Sequence, residues 1–235
     1  MNLLREKYIE FLRIISEWKN KSKRDNSFRT YTFRNGYKSQ FYQDYIVANF
    51  VFPGKKDGIF LDIGGNHPIV INNTCYFEKI GWTGLAFEPQ KQFKTLWEKH
   101  RNIPMLPIAL GDCEQIITFN ELRSDVLSGI NVEGQEIYRT YEVQQRRLGN
   151  VLKERGICEI DYMSLDVEGF EMPVLNGIDW DNTVIKCISV ECNEEDDNEL
   201  QNFLFEKGYV LMFKTGVDGI YVLKDYANLP IKFSL

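Results

Sequence analysis

The sequence predicts an α/β fold with a mostly parallel β-sheet, and three observations support this prediction. Short β-branched apolar runs recur between residues 58 and 190, beginning with Ile59–Ile63, and helix-like segments separate them. Such continuous apolar strands are typical of parallel sheets that helices cover on both faces. Two further runs, at residues 209–213 and 219–223, flank the turn sequence KTGVD and predict a C-terminal antiparallel hairpin.

The elements between these strands follow from capping residues and periodicity. Asn73 or Thr74 caps a helix that runs to residue 80, where Gly81 ends it, and Pro89 begins a second helix that reaches His100. Strands are predicted at 85–87, 105–110, 161–167 and 184–190, with an added strand at 116–119. Helices are predicted at 148–155 and up to residue 207. Residues 120–145 are polar and irregular, which indicates a loop over a site.

Composition limits the class of protein. The 235 residues are 43% hydrophobic, enough to bury the core of one large domain. The net charge of −6 argues against nonspecific binding to nucleic acid. No apolar run is long enough for a membrane span, so we expect a cytoplasmic protein. The cysteines are widely spaced without a CxxC motif, and therefore predict neither disulfides nor a zinc site: Cys75, Cys113, Cys158, Cys187 and Cys192.

The N-terminal end differs from the rest of the chain. Residues 1–38 hold ten Lys or Arg against four Asp or Glu. Within them, an apolar stripe at helical spacing predicts an amphipathic helix: Leu4, Tyr8, Phe11, Ile15 and Trp18. We expect this helix to pack on the body or on a second copy in a homo-oligomer. The alternative adds a basic patch at residues 19–24 that binds anionic lipid or a phosphorylated substrate. The predicted division is a helix and basic linker at 1–38 and one domain at 39–235.

The turn after the first strand indicates the kind of ligand. Asp62 precedes Gly64 and Gly65, and two glycines allow a sharp turn and a close approach of a ligand to the backbone. A dinucleotide site would instead carry GxGxxG. A carboxylate at this position would repel a pyrophosphate but accept hydrogen bonds from a cationic amino-acid group, which favours S-adenosylmethionine over NAD.

The next two strand ends support this interpretation. Glu88 ends the second strand, where a carboxylate can accept both ribose hydroxyls. Asp112 follows the third strand and is expected to meet the adenine amino group, with Ala109 beside the ring. In an open α/β sheet, ligands bind beyond these carboxyl ends. A lone strand-end Asp is more often a helix cap, but three successive acidic strand ends are more specific.

Several motifs together resemble the FkbM-type methyltransferases. They are SQFYQD, FLDIGGNHP, NNTCYFEKIGWTGLAFEP, DVLSGI, DYMSLDVEGFEMPVLNGIDW and ISVECN, and they cover the chain from about residue 39 to 223. The sequence departs from the family pattern at Tyr42, where glycine is usual, and at Gly65, where alanine is common. The resemblance implies a seven-stranded Rossmann-like class I methyltransferase fold and S-adenosylmethionine-dependent O-methylation of a sugar or polyketide hydroxyl.

The resemblance also implies roles for individual residues. Gln43 and Asp44 would close over the cofactor from the N-terminal side. The expected cofactor contacts are Gln43, Asp44, Asp62, Gly64, Asn66, Glu88, Ala109 and Asp112.

A methyl acceptor hydroxyl must lose its proton, and three side chains are candidates for assisting this step. His67 follows the glycine turn and has a side chain suited to a general base near neutral pH, although loop hydrogen bonding is an equally good explanation. Asp166 and Glu168 lie in SLDVEGFE at the end of the fourth strand. Alternatively, Asp166, Glu191 and Asn193 hold Mg²⁺ or Mn²⁺, which lowers the pKa of the hydroxyl.

The sequence therefore predicts an S-adenosylmethionine-dependent O-methyltransferase. Its acceptor is expected to be a hydroxyl of a sugar, a nucleotide-sugar or a glycan precursor, because of the family resemblance. An NAD-dependent sugar-modifying enzyme is one alternative, weakened by the missing glycine motif. A noncatalytic cofactor-binding module whose N-terminal helix docks a partner is the other.

Overall fold

The computed structural model describes residues 27–122, 137–192 and 197–227, which contain ten strands in two sheets. The strands are β1 (Ile59–Ile63), β2 (Thr83–Phe87), β3 (Met105–Leu106), β4 (Ala109–Leu110), β5 (Gln115–Leu122), β6 (Ile137–Arg146), β7 (Glu159–Leu165), β8 (Val184–Glu191), β9 (Tyr209–Thr215) and β10 (Asp218–Leu223). The larger sheet has the order β3-β2-β1-β7-β8-β10-β9, and β4-β6-β5 form the smaller one.

The helices of the described residues connect and flank these strands. They are α1 (Ser27–Arg34), α2 (Gln43–Ile46, continued by a π-helix at Val47–Val51), α3 (Cys75–Lys79), α4 (Lys94–His100, preceded by a 3₁₀ turn at Lys91–Phe93), α5 (Leu148–Glu154), α6 (Glu171–Asn176) and α7 (Asp197–Glu206). A 3₁₀ turn at Lys224–Tyr226 follows β10. None of these helices is both long and apolar enough to cross a membrane.

The seven-stranded sheet confirms the predicted fold class. Strands β1, β2, β3, β7 and β8 pair in parallel, whereas β10 pairs antiparallel with both β8 and β9. Alternation along β1 sends Leu61 and Ile63 into one buried cluster and Phe60 into the other, so both faces of the sheet are covered. This two-sided burial explains why the central strands are almost continuously apolar.

The strand register places the carboxyl ends of β1, β2, β7 and β8 side by side. Ile63 lies opposite Phe87 on β2 and opposite Leu165 on β7, and Leu165 lies opposite Val190 on β8. The residues that follow these positions therefore leave the sheet at one level. On the far side of β8, Glu191 lies directly opposite Asp218 of β10.

Two predictions for residues 105–146 were wrong. The expected strand at 105–110 is two strands in different sheets, because Pro107 has no backbone N–H to continue the ladder beside β2. The expected loop at 120–145 contains the end of β5 and most of β6. Strand β6 is polar because most of its side chains are exposed, and Val143 and Gln145 are its buried residues.

The N-terminal predictions are only partly within the described residues. The amphipathic stripe between residues 4 and 18 lies outside them, and so does the basic patch at 19–24. Helix α1 lies inside the segment that the sequence assigned to a linker. The helix α6 was also not predicted from the sequence.

Candidate functional site

A cavity of about 300 Å³ lies beyond the carboxyl ends of β1, β2 and β7. Residues 62–67, 87–90 and 166–168 form much of its wall. Residues 70–73 and 108–110 complete it together with Gln40, Phe93, Phe119, Ser164 and Phe170. Among the described residues that line it, none is Lys or Arg. The polar part of the cavity wall consists of carboxylates, amides and His67. Aliphatic and aromatic side chains form the apolar part.

The glycine turn holds three strand ends in direct contact. The N–H groups of Gly64 and Gly65 donate to the carbonyl of Phe87 at 3.0 and 3.3 Å. The N–H of Asp166 donates to the carbonyl of Ile63 at 3.0 Å. Gly64 has φ 78°, and a Cβ built on it would lie 1.6 Å from the carbonyl oxygen of Asp166. Only glycine meets both requirements at this position.

Asp62 is buried at the base of the cavity and held by the following loop. Its Oδ2 accepts hydrogen bonds from Asn72 Nδ2 at 2.9 Å and from Thr74 Oγ1 at 2.5 Å. Burial raises the pKa of Asp62, while the guanidinium of Arg101 acts in the opposite direction. The carboxylate lines the cavity, where sequence analysis expected it.

Arg101 organises this loop and was not predicted from the sequence. Its guanidinium donates to the carbonyl of Pro68 at 3.0 Å, to Asn72 Oδ1 at 3.1 Å and to Thr74 Oγ1 at 3.0 Å, and it pairs with Glu78. It therefore orients the two side chains that donate to Asp62. Nothing in its local sequence distinguishes it from other basic residues at helix ends.

Glu88 lies in the same wall with both oxygens anchored. Oε2 accepts from the N–H of Asn66 at 2.7 Å and Oε1 from the N–H of Gln90 at 2.8 Å. Burial raises its pKa to about 7, although the two backbone hydrogen bonds act against this rise. A carboxylate has about four acceptor sites, so Glu88 retains capacity for further donors.

A cluster of carboxylates lies where β7 and β8 end and β10 begins, and two of its members, Asp166 and Glu168, line the cavity. Burial, with Glu191 and Glu168 adding to it, raises the pKa of Asp166 far above its usual range. Burial likewise raises the pKa of Glu168 to about 7 and that of Asp218 to about 7, with Glu191 contributing to both. The pKa of Glu171 is also raised by burial. These five residues form what we call the acidic cluster: Asp166, Glu168, Glu171, Glu191 and Asp218.

His67 lines the cavity with a defined hydrogen-bond pattern. Its Nδ1 accepts from the N–H groups of Ile69 at 3.1 Å and Val70 at 3.0 Å. Burial lowers its pKa, and His100 adds to this effect. A neutral imidazole whose Nδ1 accepts carries its proton on Nε2, so the free nitrogen is a donor.

Other predicted site residues lie away from the cavity wall. Gln43 donates to Asp218 and accepts from the N–H of Phe41 at 3.0 Å, while Asp44 accepts from the N–H groups of Lys38 and Ser39 at 2.5 and 3.2 Å. These contacts anchor the segment that brings Gln40 to the cavity. Asp112 is exposed.

The structure therefore divides the predicted cofactor contacts into two groups. Asp62, Gly64, Asn66, Glu88 and Ala109 line the cavity, whereas Gln43, Asp44 and Asp112 do not. Asn193 lies outside the described residues. Sequence reasoning missed Gln40, Phe93 and Phe119, which converge on the cavity from distant elements.

Comparison with known proteins identifies the family. Residues 62–211 match the profile of the Methyltransferase FkbM domain. The chain belongs to this family. The FkbM match spans the glycine turn, Glu88, the acidic ends of β7 and β8, and part of β9. It confirms the resemblance noted in the sequence. A comparison with curated protein sequences finds no match.

One solved structure of an FkbM methyltransferase shows the same fold. The crystal structure of Methyltransferase FkbM from Methylobacillus flagellatus KT aligns with a TM-score of 0.53 at 11% identity, covering 79% of this chain and 48% of that one. The chain thus spans about half the length of that FkbM protein. Precorrin-6y C5,15-methyltransferase from Geobacter metallireducens GS-15 aligns with a TM-score of 0.44 at 10% identity, over 76% of this chain and 86% of that one.

Proposed function

We propose that the protein transfers a methyl group from S-adenosylmethionine to a hydroxyl oxygen of a sugar, a nucleotide-sugar or a glycan precursor. The observation that carries this proposal is the pair of buried carboxylates, Asp62 and Glu88, that line one cavity on either side of the Gly64 turn. Membership of the FkbM family supports methyl transfer, and the acceptor class follows the family resemblance.

The donor end of the cavity fits S-adenosylmethionine better than a dinucleotide. Asp62 would accept from the cationic amino-acid group, and Glu88 would use its remaining acceptor capacity for the ribose hydroxyls. The volume of about 300 Å³ lies at the lower end of the range for sites that enclose small ligands. The lack of Lys and Arg among the described lining residues leaves a pyrophosphate without a countercharge.

The acceptor end would position the hydroxyl and remove its proton. When bound, S-adenosylmethionine supplies an electrophilic methyl carbon, and its C–S bond breaks as the acceptor oxygen forms the new C–O bond. Alignment of the oxygen is therefore a main task of the site. Glu168 lines the cavity with a pKa of about 7, which suits a base working near neutrality. We assign proton removal to Glu168 and orientation of the hydroxyl to Asp166.

His67 has a different role in this proposal. Because Nδ1 accepts from the backbone, Nε2–H is available to donate a hydrogen bond to the acceptor. A base role for His67 would require the imidazole to give up the backbone contacts that hold it. His67 is therefore expected to orient the acceptor more than to take its proton.

The test is incubation of the protein with S-adenosylmethionine labelled in the methyl group and a panel of neutral sugars, nucleotide-sugars and glycan extracts. Label in an ether-linked methyl group of one acceptor class supports the proposal. Binding of the donor without labelling of any component would favour a noncatalytic module. Binding of a nicotinamide nucleotide in place of the donor would favour the oxidoreductase alternative.

A further inference from the structure

Three members of the acidic cluster meet at the carboxyl ends of β7 and β8, with the spacing of a metal site. Asp166 follows Leu165 on β7 and Glu191 follows Val190 on β8, and these preceding residues are register partners. Glu168 has φ 54° and Gly169 φ 88°, so the chain turns sharply after Asp166. One carboxylate oxygen from each of Asp166, Glu168 and Glu191 lies within 4.8 Å of the other two.

The other two carboxylates of the cluster have donors of their own. Glu171 accepts from the N–H groups of Val167 at 3.1 Å and Gly169 at 3.2 Å, and Asp218 accepts from the side chain of Gln43. These contacts satisfy two carboxylates without a cation. They leave the three carboxylates at the centre of the cluster as the ones that need another partner.

The central carboxylates have no cationic partner within the described part of the chain, and a side-chain hydrogen bond joins Asp166 to Glu191. None of the ion pairs found there includes Asp166, Glu168 or Glu191. Moreover, Asp166 Oδ1 is buried without a hydrogen-bond partner. A buried, unpartnered carboxylate oxygen among like charges is costly, and a bound cation would remove that cost.

We propose that Asp166, Glu168 and Glu191 bind one divalent cation of the Mg²⁺ or Mn²⁺ class. Carboxylate oxygens are the ligands that these hard cations prefer, and waters or acceptor oxygens would complete the coordination. Compared with the metal set predicted from the sequence, Glu168 replaces Asn193. Because Asp166 and Glu168 also line the cavity, the cation lies at its acceptor end.

The catalytic consequence of this site rests on the proposed function. A cation at these oxygens would coordinate the acceptor hydroxyl and lower its pKa, and the proton would pass to the carboxylate oxygen of Glu168 that does not bind the cation. The binding of the cation itself requires only the three side chains. The site can therefore be tested on the protein without methyl donor or acceptor.

The experiment is a titration of the full chain with Mn²⁺ alone, followed by the electron paramagnetic resonance signal of the free ion. We expect the wild type to bind one Mn²⁺, and Glu191→Gln and Glu168→Gln each to weaken binding about tenfold or more. The control is Glu142→Gln, because Glu142 is exposed on β6 and lies outside the cluster. This variant should bind Mn²⁺ as the wild type does. No binding, or equal binding by all four proteins, would overturn the proposal.

Thermal unfolding separates loss of the site from loss of the fold. Without metal, Glu191→Gln should unfold at a higher temperature than the wild type, because it removes one of several like charges. Added Mn²⁺ should stabilise the wild type more than this variant, because the variant binds the ion more weakly. Equal stabilisation of both proteins would contradict the site. Calorimetry with S-adenosylhomocysteine in the absence of metal tests the proposed function separately.

Discussion

The Gly64→Ala substitution tests the claim that the ends of β1 and β7 must touch for the cavity to form. Alanine would have to adopt φ 78°, which costs about 1–2 kcal/mol for an L-residue. Its Cβ would also lie 1.6 Å from the carbonyl oxygen of Asp166, so the two strand ends must separate. Overpacking of this kind typically costs another 1–3 kcal/mol or so. We expect about 2–5 kcal/mol of lost stability in urea unfolding.

Gly156→Ala provides the matched control. Gly156 has φ 66°, but a Cβ there meets no atom within 4 Å. Its loss should be limited to the backbone term of about 1–2 kcal/mol. Affinity for S-adenosylhomocysteine should fall for Gly64→Ala and remain unchanged for Gly156→Ala. Equal losses of stability, with cofactor affinity retained in both variants, would refute the reasoning.

The remaining predictions concern pH, the acceptor and the N-terminal segment. Because burial raises the pKa of Glu168 from 4.5 to about 7, the folded protein holds a proton that the unfolded chain releases, so stability should fall as pH rises through this window. Glu168→Gln should reduce that fall by roughly 1 kcal/mol after solvent screening, in urea unfolding without metal, while Glu88 and Asp218, whose pKa values are also about 7, maintain the rest; an unchanged pH profile would contradict it. His67→Asn should keep affinity for S-adenosylhomocysteine and lower kcat; an unaltered kcat would remove His67 from the site. Thr215→Val deletes the hydrogen bond to the carbonyl of Phe41 and should cost about 1–2 kcal/mol, whereas the exposed Thr140→Val should cost almost nothing. Equal effects of the two threonine changes would argue against anchoring of the 39–44 segment.

The central sheet could be predicted because its strands are buried on both faces. For β1, the predicted and observed bounds coincide. The strand begins where the apolar run begins, and the two glycines that follow the run mark its end. Strand β6 could not be predicted in the same way. It belongs to a small sheet with one exposed side, so its sequence IYRTYEVQQR carries little apolar signal.

Part of the cavity wall was predictable because single residues at the ends of neighbouring strands form it. Asp62 and Glu88 leave adjacent parallel strands, and topology alone brings them together. Asp112 was placed with them because residues 105–110 read as one strand. The break at Pro107 moves the chain into the second sheet, and Asp112 is exposed as a result.

The acidic cluster shows what sequence spacing leaves out. Asp166 and Glu191 lie at the ends of neighbouring strands, and their predicted proximity is observed. Asp218 joins them only because β10 inserts between β8 and β9, and a hairpin motif does not reveal which strand lies inside. The support that Arg101 gives to Asn72 and Thr74 also depends on contacts between distant elements, which no local pattern encodes.

The most direct test of the proposed function is calorimetric titration of the protein with S-adenosylhomocysteine. We expect the wild type and Glu142→Gln to bind equally well. Glu88→Gln should bind roughly tenfold to a hundredfold more weakly, because it removes charge-assisted hydrogen bonds worth about 1.5–3 kcal/mol. Absence of binding by the wild type at millimolar ligand, or equal binding by a folded Glu88→Gln variant, would contradict a donor site at the ends of β1 and β2.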